Sequence, residues 1–100
     1  MGTLTRGLAL LTDGARLLPK DAHLAHITGL GYYRIGRYEE ALPYFKNAHR
    51  LSPSSAAVMA DLARVYARLG KQRLAASYLQ RAVAIDPSYQ KEILFSETEK

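Results

Sequence analysis

His23 and His26 stand three residues apart, so on a helix both imidazoles share one face, the spacing of two ligands to a metal ion. A metal site needs further donors, and no carboxylate or third histidine joins that face, so the pair reads as lining a binding surface. His49, near the end of another helical stretch, suits the negative end of a helix dipole. Gly29 and Gly31 fall inside a helical pattern rather than between a strand and a helix, which leaves no phosphate-cradling loop. None of the 100 residues is cysteine, which excludes a thiol nucleophile, a disulfide framework and a thiolate zinc site. With no nucleophile, base and oxyanion donors converging, the chain reads as non-enzymatic, with no cofactor and no metal. The chemistry left is that of recognition: Arg34, Arg64 and Arg68 offer forked donors to carboxylates, and Leu30 and Tyr33 offer apolar contact.

The elements that must position these residues are set by a repeat. Pro19, Pro53 and Pro87 are spaced by 34 residues, and so are Gly2, Gly36 and Gly70. Sliding 22–55 onto 56–89 without gaps pairs Tyr32 with Tyr66, Arg34 with Arg68, Ala41 with Ala75, Tyr44 with Tyr78 and Ala48 with Ala82. Gly7, Leu11 and Gly14 fall opposite Ala41, Phe45 and Ala48, so the sequence opens on the second half of an earlier copy.

Each copy reads as two helices. Ala25, Thr28, Gly29 and Tyr32 recur at i, i+3, i+4 and i+7, one helix face within 22–35. Asp21 and Ser55 are N-caps for the two first helices, and Gly36 and Gly70 close them by entering the left-handed turn. The second helices cover 38–51, with Ala41, Phe45 and Ala48 on the buried line, and 72–85, with Ala75, Leu79 and Ala82. Glu39 and Glu40 suit the positive end of the first of these. Gly29 and Ala63 join the alanines in letting paired backbones approach closely. Two residues resist the pattern. Gly31 costs about 1 kcal/mol relative to Ala in a helix interior, and Pro43 removes one hydrogen bond in a second turn and should bend its helix.

The first copy contains Gly29-x2-Tyr32, then Ala41-x3-Phe45 and Pro53; the second contains Leu62-Ala63-x2-Tyr66, then Ala75-x3-Leu79 and Pro87. This pattern resembles the tetratricopeptide repeat (TPR). The departures from it, Ala25 and Met59 among them, change size rather than polarity, except Thr28. The resemblance implies an all-α right-handed superhelix of antiparallel helix pairs. One domain then spans 1–100: a half-repeat at 1–21 holding a lone helix near 4–17, copies at 22–55 and 56–89, and a capping or truncated helix at 90–100.

It also implies that first helices line a concave groove that grips a peptide or a partner's helix. Counted at 100° per residue, the stripe about a third of a turn from the core line holds His23, His26, Leu30, Tyr33 and Arg34 in one copy and Ala60, Arg64, Ala67 and Arg68 in the next, and if this stripe faces the groove an acidic protein or peptide is the expected partner. The TPR subclass that clamps terminal carboxylates uses a Lys and an Asn one turn apart in a first helix. The sites here hold His26 and Leu30, then Ala60 and Arg64, so that ligand is not inferred.

A net charge of +5 raises nucleic-acid binding as a lower-ranked alternative, since the cations are spread over both helices of each copy. Apolar runs such as Leu8 to Leu11 are far short of the roughly 18 residues of a spanning helix and too short for a secretory h-region, so a cytoplasmic chain without a membrane anchor is expected. Leu4, Leu8, Leu10, Leu11, Leu17 and Leu18 at one end, and Ile93, Leu94 and Phe95 at the other, are more apolar than a capped repeat needs. Either the sequence is cut from a longer array or these ends self-associate, the second functional alternative.

Overall fold

In a computed structural model, residues 20–92 are described, and they hold four α-helices and a short 3-10 turn, with no strand among them. The helices are α1 (Ala22–Arg34), α2 (Tyr38–Leu51), α3 (Ala56–Arg68) and α4 (Gln72–Ile85), followed by the 3-10 turn Pro87–Tyr89. Helical backbone resumes over 90–92. The chain divides into two compact units after Pro53, one containing the α1–α2 pair and the other the α3–α4 pair. The leucines near the N-terminus and Ile93, Leu94 and Phe95, on which the self-association expectation rests, lie outside the described residues.

Local signals account for where each helix starts and stops. Asp21 Oδ1 accepts hydrogen bonds from the backbone N–H groups of His23 and Leu24 at 2.9 and 3.3 Å, and Ser55 Oγ accepts one from Val58 at 3.3 Å. These cover donors that a helix start leaves without intrahelical partners. At the far ends of α1 and α3 the chain reverses through Gly36 and Gly70, with φ of 82° and 81°. There the N–H of Arg37 donates to the Tyr32 carbonyl at 2.9 Å and that of Gly36 to the Tyr33 carbonyl at 3.0 Å. The second unit repeats the pattern, Lys71 donating to Tyr66 at 2.8 Å and Gly70 to Ala67 at 3.1 Å. This is the Schellman closure, which a residue with a Cβ adopts only under strain. A Cβ at either glycine would meet nothing within 4 Å, so backbone conformation alone demands glycine there. The α2 helix runs unbroken through Pro43.

Within each unit the two helices pack along the small-residue line. Ala25, Ala41, Phe45 and Ala48 are fully buried in the first unit, as are Leu62 and Ala82 in the second, where Ala75 is nearly so. Tyr32 stacks on Tyr44 with ring centroids 5.7 Å apart and planes at 18°, and Tyr66 stacks on Tyr78 at 5.7 Å and 16°. Residues 34 apart in sequence thus meet partners 34 apart in the same geometry. Burial, with Tyr78 alongside, pushes the Tyr66 hydroxyl above its ordinary pKa, so the phenolate is disfavoured. Thr28, the polar departure from the repeat pattern, is also fully buried, and its hydroxyl donates to the Leu24 carbonyl at 2.9 Å. That bond removes most of the cost of placing a hydroxyl in an apolar layer.

Candidate functional site

The recognition residues lie on two first helices in different surroundings. On α1, His23 and Arg34 are exposed, while His26, Leu30 and Tyr33 are half-buried. His26 sits edge-on to the Phe45 ring at 5.8 Å, and Tyr33 sits edge-on to Tyr38 at 5.1 Å. Each therefore spends one face on packing against α2 and keeps the remainder at the surface. Imidazole against phenyl is a packing arrangement, and among the described residues no group of three or more His, Asp or Glu is placed to hold a metal ion.

On α3 the picture differs. Eight of its thirteen residues are buried, against four of thirteen in α1, so a stripe one third of a turn from the core no longer implies exposure. Ala60 is not on the surface. It is fully buried and clusters with Met59 and Ala82, with Ala56, Tyr78 and Tyr89 packed around them. Ala67 and Arg68 are exposed, near the helix end.

Arg64 is the larger departure. Its guanidinium is held in a fork: Nε and Nη2 donate to the two carboxylate oxygens of Glu92 at 3.1 and 2.7 Å, while Nη1 donates to Asp61 Oδ1 at 2.6 Å. Burial alone would weaken the Arg64 charge, but Glu92 and then Asp61 outweigh it and hold the group above its usual pKa. An arginine paired in bidentate fashion with one carboxylate and bonded to a second has few donors left for a ligand. Sequence reasoning had no means of placing Glu92, 28 residues on, against α3. Asp61, one turn before Arg64, was the only local signal.

A structural role for Arg64 gives a direct expectation. Replacing it with Met keeps the aliphatic stem but takes the cation from Asp61, whose side chain is only 12% exposed. The loss of charge-assisted bonds to a buried carboxylate, discounted because the Arg64 side chain is itself 39% exposed, should cost about 1 to 2 kcal/mol in urea unfolding. A change below a few tenths of a kcal/mol would return Arg64 to the role of a solvated surface cation.

Within the second unit one stretch of sequence is one-sided in charge. Between Asp61 and Asp86 no acidic residue occurs, whereas Arg64, Arg68, Lys71, Arg73 and Arg81 do. Arg81 lies over the Tyr78 ring, its guanidinium carbon 5.0 Å from the ring centroid. No helix among the described residues is long and apolar enough to cross a membrane.

Comparison with known proteins agrees with this architecture. A family model described as the tetratricopeptide repeat matches residues 21–88. No curated protein matches the chain. Among solved structures the chain is similar to MamA of AMB-1, at 25% identity with a TM-score of 0.79 over 84% of this chain, and in a second crystal form at 25% and 0.77 over 83%. MamA of MSR-1 is similar at 24% identity and a TM-score of 0.77 over 86% of this chain. The chain spans about half the length of these proteins, 46% of the first and 49% of the other two.

Proposed function

The chain belongs to the tetratricopeptide repeat family, and from that premise we propose that it binds an acidic peptide or partner helix along the first-helix faces that line the concave groove in this family. As a TPR module it is a protein-interaction scaffold. The observation that supports the finer reading is a register-repeated cation: Arg34 and Arg68 occupy the same position of successive repeats, and both are exposed in the last turn of a first helix. Leu30 and Tyr33 beside Arg34 provide apolar area, and His23 and Ala67 complete the accessible stripes. Arg64 supports this surface indirectly, by fixing α3.

A cation in the last turn also complements the helix dipole, worth about 0.3 to 1 kcal/mol, so the test must separate binding from stability. The probe is an extended, fluorescein-labelled Glu- and Leu-containing peptide, titrated at several salt concentrations. Arg34→Glu and Arg68→Glu should each weaken binding by about tenfold and flatten its salt dependence, with melting temperatures lowered by only a few degrees. Arg50→Glu, on a second helix, should bind as the parent does. Equal loss from Arg50→Glu would reduce the effect to diffuse charge attraction. Tighter binding of a single-stranded oligonucleotide than of the peptide would favour the nucleic-acid reading instead. Self-association remains the structural alternative, and light scattering across concentration tests it.

A further inference from the structure

Glu92 offers Arg64 what an acidic partner would offer it. Nε and Nη2 of Arg64 donate to the two oxygens of the Glu92 carboxylate at 3.1 and 2.7 Å, the bidentate geometry by which arginine grips a carboxylate of any origin. Nη1 is bonded separately to Asp61 on the same helix, and that bond fixes the direction of the guanidinium without involving Glu92. The Nε–Nη2 edge is thus a prepared carboxylate site that the chain fills with its own residue.

The repeat does not call for this arrangement. One repeat earlier the positions of Asp61, Arg64 and Glu92 hold Ile27, Leu30 and Val58, so a TPR backbone is built there without charge at any of the three. The tie is also easily opened. The Arg64 and Glu92 side chains are 39% and 35% exposed, so water and salt screen their attraction. Among the described residues after the 3-10 turn, Gln90 and Lys91 are exposed and Glu92 is half-buried. Tyr89 packs on the cluster of Met59, Ala60 and Ala82 and anchors the turn itself; past it, the Glu92 carboxylate ties the chain back to α3. Arg68, exposed, lies one helical turn or about 6 Å beyond Arg64 on the same helix.

We propose that Glu92 is an autoinhibitory contact: it occupies Arg64 in place of a partner's carboxylate, and an acidic ligand on the first-helix face of α3 displaces it and releases residues 90–92. This gate rests on the acidic-ligand reading above, to which it adds Arg64 as a contact beside Arg68. In the closed form Arg64 braces α3; in the open form it also binds. Only open molecules offer Arg64, so the apparent affinity for an acidic ligand is lowered by the fraction that is open.

The intact chain and the labelled Glu- and Leu-containing peptide test this. Glu92→Gln keeps the shape of the side chain but removes its charge, and should bind the peptide about three- to tenfold more tightly than the parent. Glu39→Gln, which changes net charge equally but lies on α2, should bind as the parent does. In the Arg64→Met background, Glu92→Gln should bring no gain. The heteronuclear NOE of the backbone amides at 90–92 should fall in Glu92→Gln, and should fall likewise in the parent on saturation with peptide, since binding loosens this segment rather than ordering it. Unchanged or weaker binding by Glu92→Gln, the same gain from Glu39→Gln, a gain that survives Arg64→Met, or amides that stay rigid on saturation would each overturn the gate. If Arg34→Glu and Arg68→Glu weaken binding while Glu92→Gln does not strengthen it, the gate alone is wrong. A peptide that binds no form overturns the gate together with the first-helix site.

Discussion

Replacing Phe45 with Ala should lower stability by about 3 to 5 kcal/mol, the largest loss expected from any single truncation in the first unit. Phe45 is fully buried and is the largest side chain in that state. Its ring meets the Gly29 backbone on one side and the edge of His26 on another, and neither neighbour carries enough side chain to fill the volume a phenyl leaves. A domain of this size has only about 5 to 15 kcal/mol in hand, so the variant should begin to unfold at much lower urea. The equivalent Leu79, only half-buried, should lose less on truncation to Ala. Urea denaturation followed by circular dichroism compares the two; an equal or larger loss at Leu79 would show that the first pair is not organised around the Phe45 ring.

Changing Gly29 to Ala should destabilise the protein by about 1 to 3 kcal/mol, even though Ala is favoured over Gly in a helix by about 1 kcal/mol. The added Cβ would lie 2.8 Å from Phe45 Cδ1 and Cε1 and 3.1 Å from Cζ. A ring that is fully enclosed cannot withdraw cheaply, so overlap outweighs propensity. The second repeat shows the alternative solution, since it holds Ala63 and Leu79 at these two positions, a larger residue facing a smaller one. The double variant Gly29→Ala with Phe45→Leu should therefore recover much of what Gly29→Ala loses, a coupling that a double-mutant cycle measures. Simple additivity of the two losses would mean that the positions do not share one space.

The repeat period, the helix boundaries and the pairing of helices were legible in the sequence because their causes are local. A cap needs Asp21 or Ser55 within three residues of the donors it satisfies, and a Schellman closure needs a glycine at one position, so Gly36 and Gly70 mark the ends directly. The stacked tyrosines follow from the same register, since an identical backbone carries identical side chains to identical partners. The surface was less legible. Counting 100° per residue gives the direction of a side chain but not what packs over it, and so it placed Ala60 and Arg64 on an open stripe. Ala60 is enclosed with Met59 and Ala82, and Arg64 is held by Asp61 and by Glu92. That outcome depends on where residues distant in sequence come to rest, and only the tertiary structure decides it: a fork of fixed donors finds the carboxylate that folding brings within 3 Å, whatever the separation along the chain.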